Sequence, residues 1–419
     1  MAKKKVGKPK RQVTKRQLSQ WQRQKRRQRI ILGVGASIIA LVLGIVAAGW
    51  YINQYQPLHQ TVIRVNNTEF NMDYYIKMLK YYGEGQPSYY MYDLADEVVR
   101  VIEQNELIRQ GAMKLGITVS NSEVDDELKK RDPPLSKDYR DLIRAEVLVN
   151  KLRDEHFEQE VPLFAEQRHI MAMFLESKNQ AAEIRAKLES GDSFTELAGE
   201  LSLDYLSKAN KGDLGWRAKD VLTLLLGTSI LGDYAFNSEV GVLSQPVYDE
   251  AKIKSLGYWL IKVLEMKEGS NEAHVQAILL GSEQEAQSVK ARLEAGEDFA
   301  ALAQELSQLD YSKENGGDLG WLTPGMMSPA FDEFVFDSEV KLETLSEPVS
   351  DEATMTKGGY WLLKVLDKEE HRQISADDRD LLKEKALNEW VASLWDDPKI
   401  ESYLDGAKKA WAIQKALES

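Results

Sequence analysis

Residues 316–321 read GGDLGW, and residues 211–216 read KGDLGW. Glycine-rich turns often cradle phosphate, but a phosphate loop has the form G-x-x-x-x-G-K-[S/T], or G-x-G-x-x-G at the start of a helix. Here the glycines flank Asp-Leu, no Lys-Ser/Thr follows, and the aspartate would repel phosphate. The turn therefore reads as a structural corner in a duplicated domain. Working outward from it, His169–Trp216 matches His274–Trp321 without gaps, with 23 of 48 positions identical. Beyond Trp216 and Trp321 the copies drift in length, then converge at GYWLIKVLE (257–265) and GYWLLKVLD (359–367). A repeat of about 100 residues is too long for a solenoid unit, so it is a duplicated domain.

Each copy parses the same way. HIMAMFL (169–175) and HVQAILL (274–280) are short apolar runs of strand type. Ser177 with Gln180, and Ser282 with Glu285, fit the capping box that opens a helix. Gly191 and Gly296 suit the left-handed position past a helix end. In the next helix Phe194, Leu197, Ala198 and Leu201 fall at i, i+3, i+4 and i+7, as do Phe299, Leu302, Ala303 and Leu306. The GYW run is a closing strand. Helices and strands do not alternate as βαβ units, so the expected class is α+β with a small antiparallel sheet in each copy.

The chain has 419 residues, 43% hydrophobic, and no cysteine, which removes disulfides, thiolate catalysis and Cys-ligated metals. Charge is divided sharply. Residues 1–29 hold thirteen Lys/Arg and no acid, leaving 41 basic against 67 acidic side chains in the rest. The basic arm could bind nucleic acid, but an acidic body is a poor partner for it, and a plainer reading is available. Residues 30–52, IILGVGASIIALVLGIVAAGWYI, carry no charge and are long enough to span the roughly 30 Å hydrocarbon core of a bilayer. The Lys/Arg block before it fits the positive-inside rule, and Trp50 and Tyr51 suit the outer interface. The rival reading is a cleaved signal peptide, with VAA at 46–48 offering small residues; against it, the basic region is long and the apolar run exceeds a signal peptide's apolar core.

The ordered set of strand, helix, "LS…SKxNxGDLGW", "PGMMSPAF" (324–331), "LSEPV" (345–349) and "GYWLLKVL" (359–366) resembles the parvulin family of peptidyl-prolyl isomerases over about 95 residues in each copy. The flanks fit as well. VIRVNNTEF (62–70) and the helical stretch with KLGITVS (114–120) resemble the N-terminal helical domain of SurA/PrsA-type foldases, and in the C-terminal segment Leu382, Ala386, Trp390, Leu394 and Trp395 fall at helical spacing. Charge and hydropathy give a basic cytoplasmic arm (1–29) and a single transmembrane helix (30–52), and the resemblance implies a helical chaperone domain (60–165), parvulin-like domains at 166–268 and 272–369, and C-terminal helices (370–419) packing on the N-terminal helices. It places the protein in a bacterial cell membrane as a single-pass protein, with its bulk extracytoplasmic.

Prolyl isomerisation needs no nucleophile, metal or cofactor. Rotation about the partial double bond is slow, and a catalyst holds the proline ring in a dry apolar pocket while polar groups favour the twisted state. The family pattern supplies a Met/Phe pocket and a polar cluster of two His and a Cys or Asp. By that pattern Met327 and Phe331 form the pocket of copy 2, four residues apart on one side of a helical turn. In copy 1 the aligned residues are Leu231, for the Phe, and Gly227, for the Met, in a stretch five residues longer. The candidate acids are Asp204 in copy 1 and Asp310 in copy 2, the latter one step beyond the aligned Leu309. Both family histidines are replaced: the first-strand position holds Ala172 and Ala277, and the closing strands carry Trp259 and Trp361, which either fill the cleft or stack on a peptide. His169 and His274 lie three residues earlier on the strand, facing the other way.

Three functions are open at this point. One is a foldase that binds unfolded or proline-containing polypeptide and isomerises prolyl bonds weakly, mainly in the second domain. The second is a non-catalytic holdase. The third is an envelope scaffold reusing parvulin folds. The tyrosine-rich stretch 71–94 supplies rigid amphipathic contact area for varied peptides, or ordinary interhelical packing. No nucleic-acid partner is expected, and oligomeric state is left open.

Overall fold

The structure, a computed structural model, describes residues 15–418; the first fourteen residues of the basic arm lie outside it. The chain parts into two compact units, Met1–Leu152 with Asn388–Ser419, and Arg153–Leu387. Lys15–Trp50 is one helix, prolonged by a π turn over Tyr51–Tyr55 and a helical turn over Gln56–His59. Within it Ser37–His59 is apolar, long enough to cross a membrane, and its apolar stretch is unburied.

In the first unit, strands β1 (Thr61–Val65) and β2 (Thr68–Asn71) form a hairpin, and the short strand Ile400–Ser402 from the far end of the chain adds to β1. Helices Met72–Gly83 and Met91–Lys114 carry apolar faces into one core, where Val62, Tyr75, Leu79, Val98 and Ile102 meet Ala412 and Ile413 of the last helix, Gly406–Leu417. The two units part at 387/388, inside helix Ala376–Ser393, and not at the residue 370 read from the sequence. The start of that helix is tied to the second unit by ion pairs: Asp378 to Arg217, and Arg379 and Lys383 to Glu158.

The second unit holds both repeats. Its strands are β3 (Phe164–Leu175), β4 (Asp213–Arg217), β5 (Val247–Met266), β6 (Ala273–Leu280), β7 (Asp318–Leu322) and β8 (Val349–Gln373). The helix caps and glycine turns read from the sequence are present, though the capping boxes are not closed. Ser177 and Ser282 cap their helices by accepting from Gln180 N and Glu285 N. The reciprocal bond is displaced one residue outward, to Glu176 N and Gly281 N. Gly317 of the repeated turn has φ 84, and a Cβ there would lie 2.6 Å from Phe299 Cε1; Gly212 is its twin against Phe194. The turn needs glycine because the second helix of each repeat packs directly on its backbone.

The sheet does not follow the repeats. All six strands join in one antiparallel sheet, order β4-β3-β8-β5-β6-β7. The first strand of copy 1 (β3) takes the closing strand of copy 2 (β8), and the first strand of copy 2 (β6) takes that of copy 1 (β5). Each closing segment runs straight through where a parvulin hairpin would turn back: Val247 faces Trp361 and Trp259 faces Val349. The domain boundaries read at 166–268 and 272–369 therefore describe the repeats but not the folded modules, each of which is completed by the other repeat's closing strand. Between the conserved ends, ATMTKGG carries Thr354 and Thr356 at alternate positions and AKIKSLG carries Ile253, β-branched residues that suit an extended strand.

Where the exchanged strands cross, Lys254 is 2% exposed. Its ammonium donates to Lys357 O at 3.3 Å and to Gly358 O. Burial pushes its pKa down to about 8, against the pull of Glu285 and Glu176. The unfolded chain holds this proton to about pH 10.4, so the folded state binds fewer protons between pH 8 and that value and stability rises with pH there. Urea unfolding of the parent and of Lys254→Met should show that the variant loses this rise, a difference of about 3 kcal/mol across the window. The exchange itself makes a crossed prediction. Trp361→Ala should cost about 3–5 kcal/mol and speed hydrogen exchange in copy 1, while Trp259→Ala should do so in copy 2, the reverse of their places in the sequence.

Candidate functional site

In the second module, Ser328 caps helix Pro329–Val335 by accepting from Phe331 N, and donates to Asp351 Oδ2 at 2.5 Å. Asp351 is 1% exposed. It also accepts from Trp259 Nε1 at 2.8 Å, Thr354 Oγ1 at 2.6 Å and Ala353 N at 3.0 Å. Burial pushes its carboxyl up, but the hydrogen bonds from Ser328, Thr354 and Trp259 outweigh it and hold the group below the usual carboxylate range. The Trp259 ring meets Phe331 edge-on at 5.0 Å. Both are closed to solvent, Trp259 2% and Phe331 0% exposed. Met327 precedes the capping serine, so it lies outside the helix and shares no helical turn with Phe331; it is half-buried against the same cluster and gives that cluster an open side. Leu309, aligned with the family acid, packs into this cluster. Asp310 is exposed at the start of helix Asp310–Glu314 and does not enter the cleft.

The first module repeats the arrangement with different filling. Trp361 packs on Phe174 at 4.8 Å and donates Nε1 to Asp249 Oδ2 at 3.0 Å. Asp249 is 0% exposed. Leu231 sits at the place of Phe331, also fully buried. The extra residues of copy 1 form helix Lys219–Leu226, ended by Gly227 at φ 69, and its Leu222 and Leu226 pack into the Trp361 cluster. This helix covers the cleft. Asp204 caps helix Tyr205–Ala209 through Ser207 N at 2.7 Å, and pairs with Lys252 Nζ at 2.7 Å. Lys252 also donates to Leu226 O at 2.8 Å, tying the covering helix down.

The structure thus brings Met327, Phe331 and Trp259 together in one module, and Leu231 and Trp361 in the other. It assigns the two candidate acids elsewhere: Asp204 to a cap and an ion pair, Asp310 to the surface. His169 and His274 lie 2.9 Å from Asp213 and Asp318 and stack on Trp216 and Trp321, away from both clefts. The residues that sequence reasoning missed are Asp249 and Asp351, although PVYDEA (246–251) and PVSDEA (348–353) repeat in both copies and carried the signal.

Beside each sealed cleft lies an open groove. One, of about 630 Å³, runs between helix Ile230–Asn237 and the segment before β5, with Tyr234, Val242 and Val247 on its walls and Asp233 and Glu239 at its rim. Its twin, of about 620 Å³, offers Phe334, Val340 and Val349 with Glu333, Asp337 and Glu347. The first unit has a third of about 620 Å³, where Phe70, Tyr74, Ile102 and Leu148 meet Glu106, Arg109 and Arg144.

Comparison with known proteins places residues 169–265 and 258–369 each in a PPIC-type PPIase domain family. The two matches overlap within β5, the strand that changes modules. The chain is 31% identical to Chaperone SurA of Chromohalobacter salexigens over 209 residues, 46% of this chain and 44% of the relative, so it spans less than half of that protein's length. It is 27% identical to Chaperone SurA of Pseudomonas syringae over 325 residues, 65% of this chain and 72% of the relative. Among solved structures, the peptidylprolyl isomerase PrsA of Bacillus anthracis aligns over 76% of this chain and 94% of its own at 15% identity, with a TM-score of 0.30.

The placement of the two aspartates is testable by stability. Asp204→Ala leaves Lys252 buried without its carboxylate and should cost about 3–5 kcal/mol in chemical denaturation; Asp310→Ala should stay within about 0.5 kcal/mol of the parent.

Proposed function

From a SurA/PrsA-type chain with two PPIC-type peptidyl-prolyl isomerase domains, we propose an extracytoplasmic foldase that chiefly holds unfolded polypeptide, with prolyl isomerisation slow and confined to the second module. One observation carries this reading: an indole N–H bonded to a buried carboxylate occupies each cleft where the family pattern has histidine, while apolar grooves beside the clefts stay open. A proline ring cannot reach the Phe331 face without moving Trp259. The half-exposed Met327 is what remains of an accessible seat, and it supports the residual activity. Extended chain, by contrast, can lay apolar side chains on Tyr234 and Val242 or on Phe334 and Val340, with the acidic rims favouring basic neighbours. In the first unit, Tyr75 is fully buried and serves packing, whereas Tyr89 and Tyr92 are 79% and 64% exposed and free to contact clients.

The apolar N-terminal helix acts in this proposal as an uncleaved anchor with the basic arm in the cytoplasm, supported by its thirteen preceding cations and its unburied apolar surface.

The test sets two assays on the full chain side by side. Aggregation of a denatured client should be suppressed at near-stoichiometric ratios, and a protease-coupled proline-peptide assay should register only slow turnover. Met327→Ala should lower that turnover about tenfold, the equivalent of losing one buried apolar contact in the transition state, and leave suppression unchanged. Fast turnover that survives Met327→Ala, or no suppression at all, would refute the proposal.

A further inference from the structure

Both copies of the GDLGW turn end in the same surface cluster. Asp213 Oδ1 accepts from Gly215 N at 2.8 Å and lies 2.9 Å from His169 Nε2; Trp216 stacks on that imidazole at 5.7 Å. Asp318 Oδ1 accepts from Gly320 N at 2.8 Å and lies 2.9 Å from His274 Nε2; Trp321 stacks at 5.5 Å. The aspartate therefore fixes the imidazole, and the imidazole fixes the indole as a flat platform.

The clusters differ in what lies on top. In the first module the Arg372 guanidinium sits 4.2 Å from the Trp216 ring centre, and Trp216 is half-buried. In the second, the residue matching Arg372 in the closing-strand alignment is Ser270, exposed in the turn before β6, too short and uncharged. Trp321 is left 44% exposed, and the Asp318 side chain that holds its His274 is 47% exposed. Among the described residues the molecule thus displays the same platform twice, once with its occupant and once without.

We infer that Trp321, His274 and Asp318 form a binding site for the guanidinium of an arginine borne on an extended client polypeptide, the position Arg372 fills in the first module. A guanidinium is planar and weakly hydrated, so it stacks on an indole face at low desolvation cost. The acidic excess of the body adds attraction for a cation. The occupant's being a client chain rests on the chaperone reading; the guanidinium chemistry does not.

The test uses the full chain in detergent, labelled with 5-fluorotryptophan, with the nine tryptophan signals assigned by single Trp→Phe variants. N-acetyl-arginine amide should shift the Trp321 signal at a concentration about threefold or more below that needed by its citrulline counterpart, and leave Trp216 unmoved. Arg372→Ala should make Trp216 respond as Trp321 does. A Trp321 signal that stays still, or moves equally with citrulline, overturns the inference. In a second arm, Trp321→Ala should weaken capture of an arginine-bearing unfolded client about threefold and leave its arginine-free version unchanged. Equal capture of both by variant and parent overturns the inference and leaves the chaperone reading standing. If the parent captures neither client, the chaperone reading falls and the fluorotryptophan shifts alone decide the guanidinium site.

Discussion

Two buried indole N–H groups, each aimed at a buried carboxylate, hold the second unit together, and in each pair the donor and acceptor come from different repeats. Trp259 belongs to the first repeat and its Asp351 to the second; Trp361 belongs to the second and its Asp249 to the first. A carboxylate with essentially no exposure is tolerable only when its oxygens are bonded. The pairs therefore oblige both closing strands to stay crossed: withdrawing either one strands an aspartate in one module and an indole in the other. The sealed clefts, the open grooves beside them and the continuous sheet all follow from that mutual obligation.

What the sequence disclosed was what is decided locally. The capped helices, the second helix at 194–201 and 299–306, and the glycine turns all appear because a few adjacent residues determine them. The strand exchange was hidden for a physical reason. GYWLIKVL and GYWLLKVL offer nearly the same side chains to a neighbouring strand, so a closing strand fits its own repeat and the other almost equally, and only the path of the chain between Asp249 and Gly257, or Asp351 and Gly359, tells the two apart.

The site reading divided along the same line. That Met327 and Phe331 meet was legible from the family pattern, though with the indole expected of their own repeat, Trp361, and not Trp259. That Phe331 is sealed was not, since its closure depends on an indole delivered from another repeat. The misplacement of Asp310 came from a single residue: Leu309 turns inward and the acid next to it outward, a choice set by the apolar cluster it joins. Asp204 kept the aligned position but was claimed by Lys252, a residue of the crossing segment whose partner no spacing rule could supply.

The crossing also sets an order of assembly. A chain made from its amino end completes the first repeat's own residues early, yet Trp361 and β8, which complete that module, are the last strand material of the unit to emerge. The module that begins first must finish last, and until then β3 waits with an unpaired edge. Until that last strand arrives, the half-made unit is itself an unfolded polypeptide with an open sheet edge.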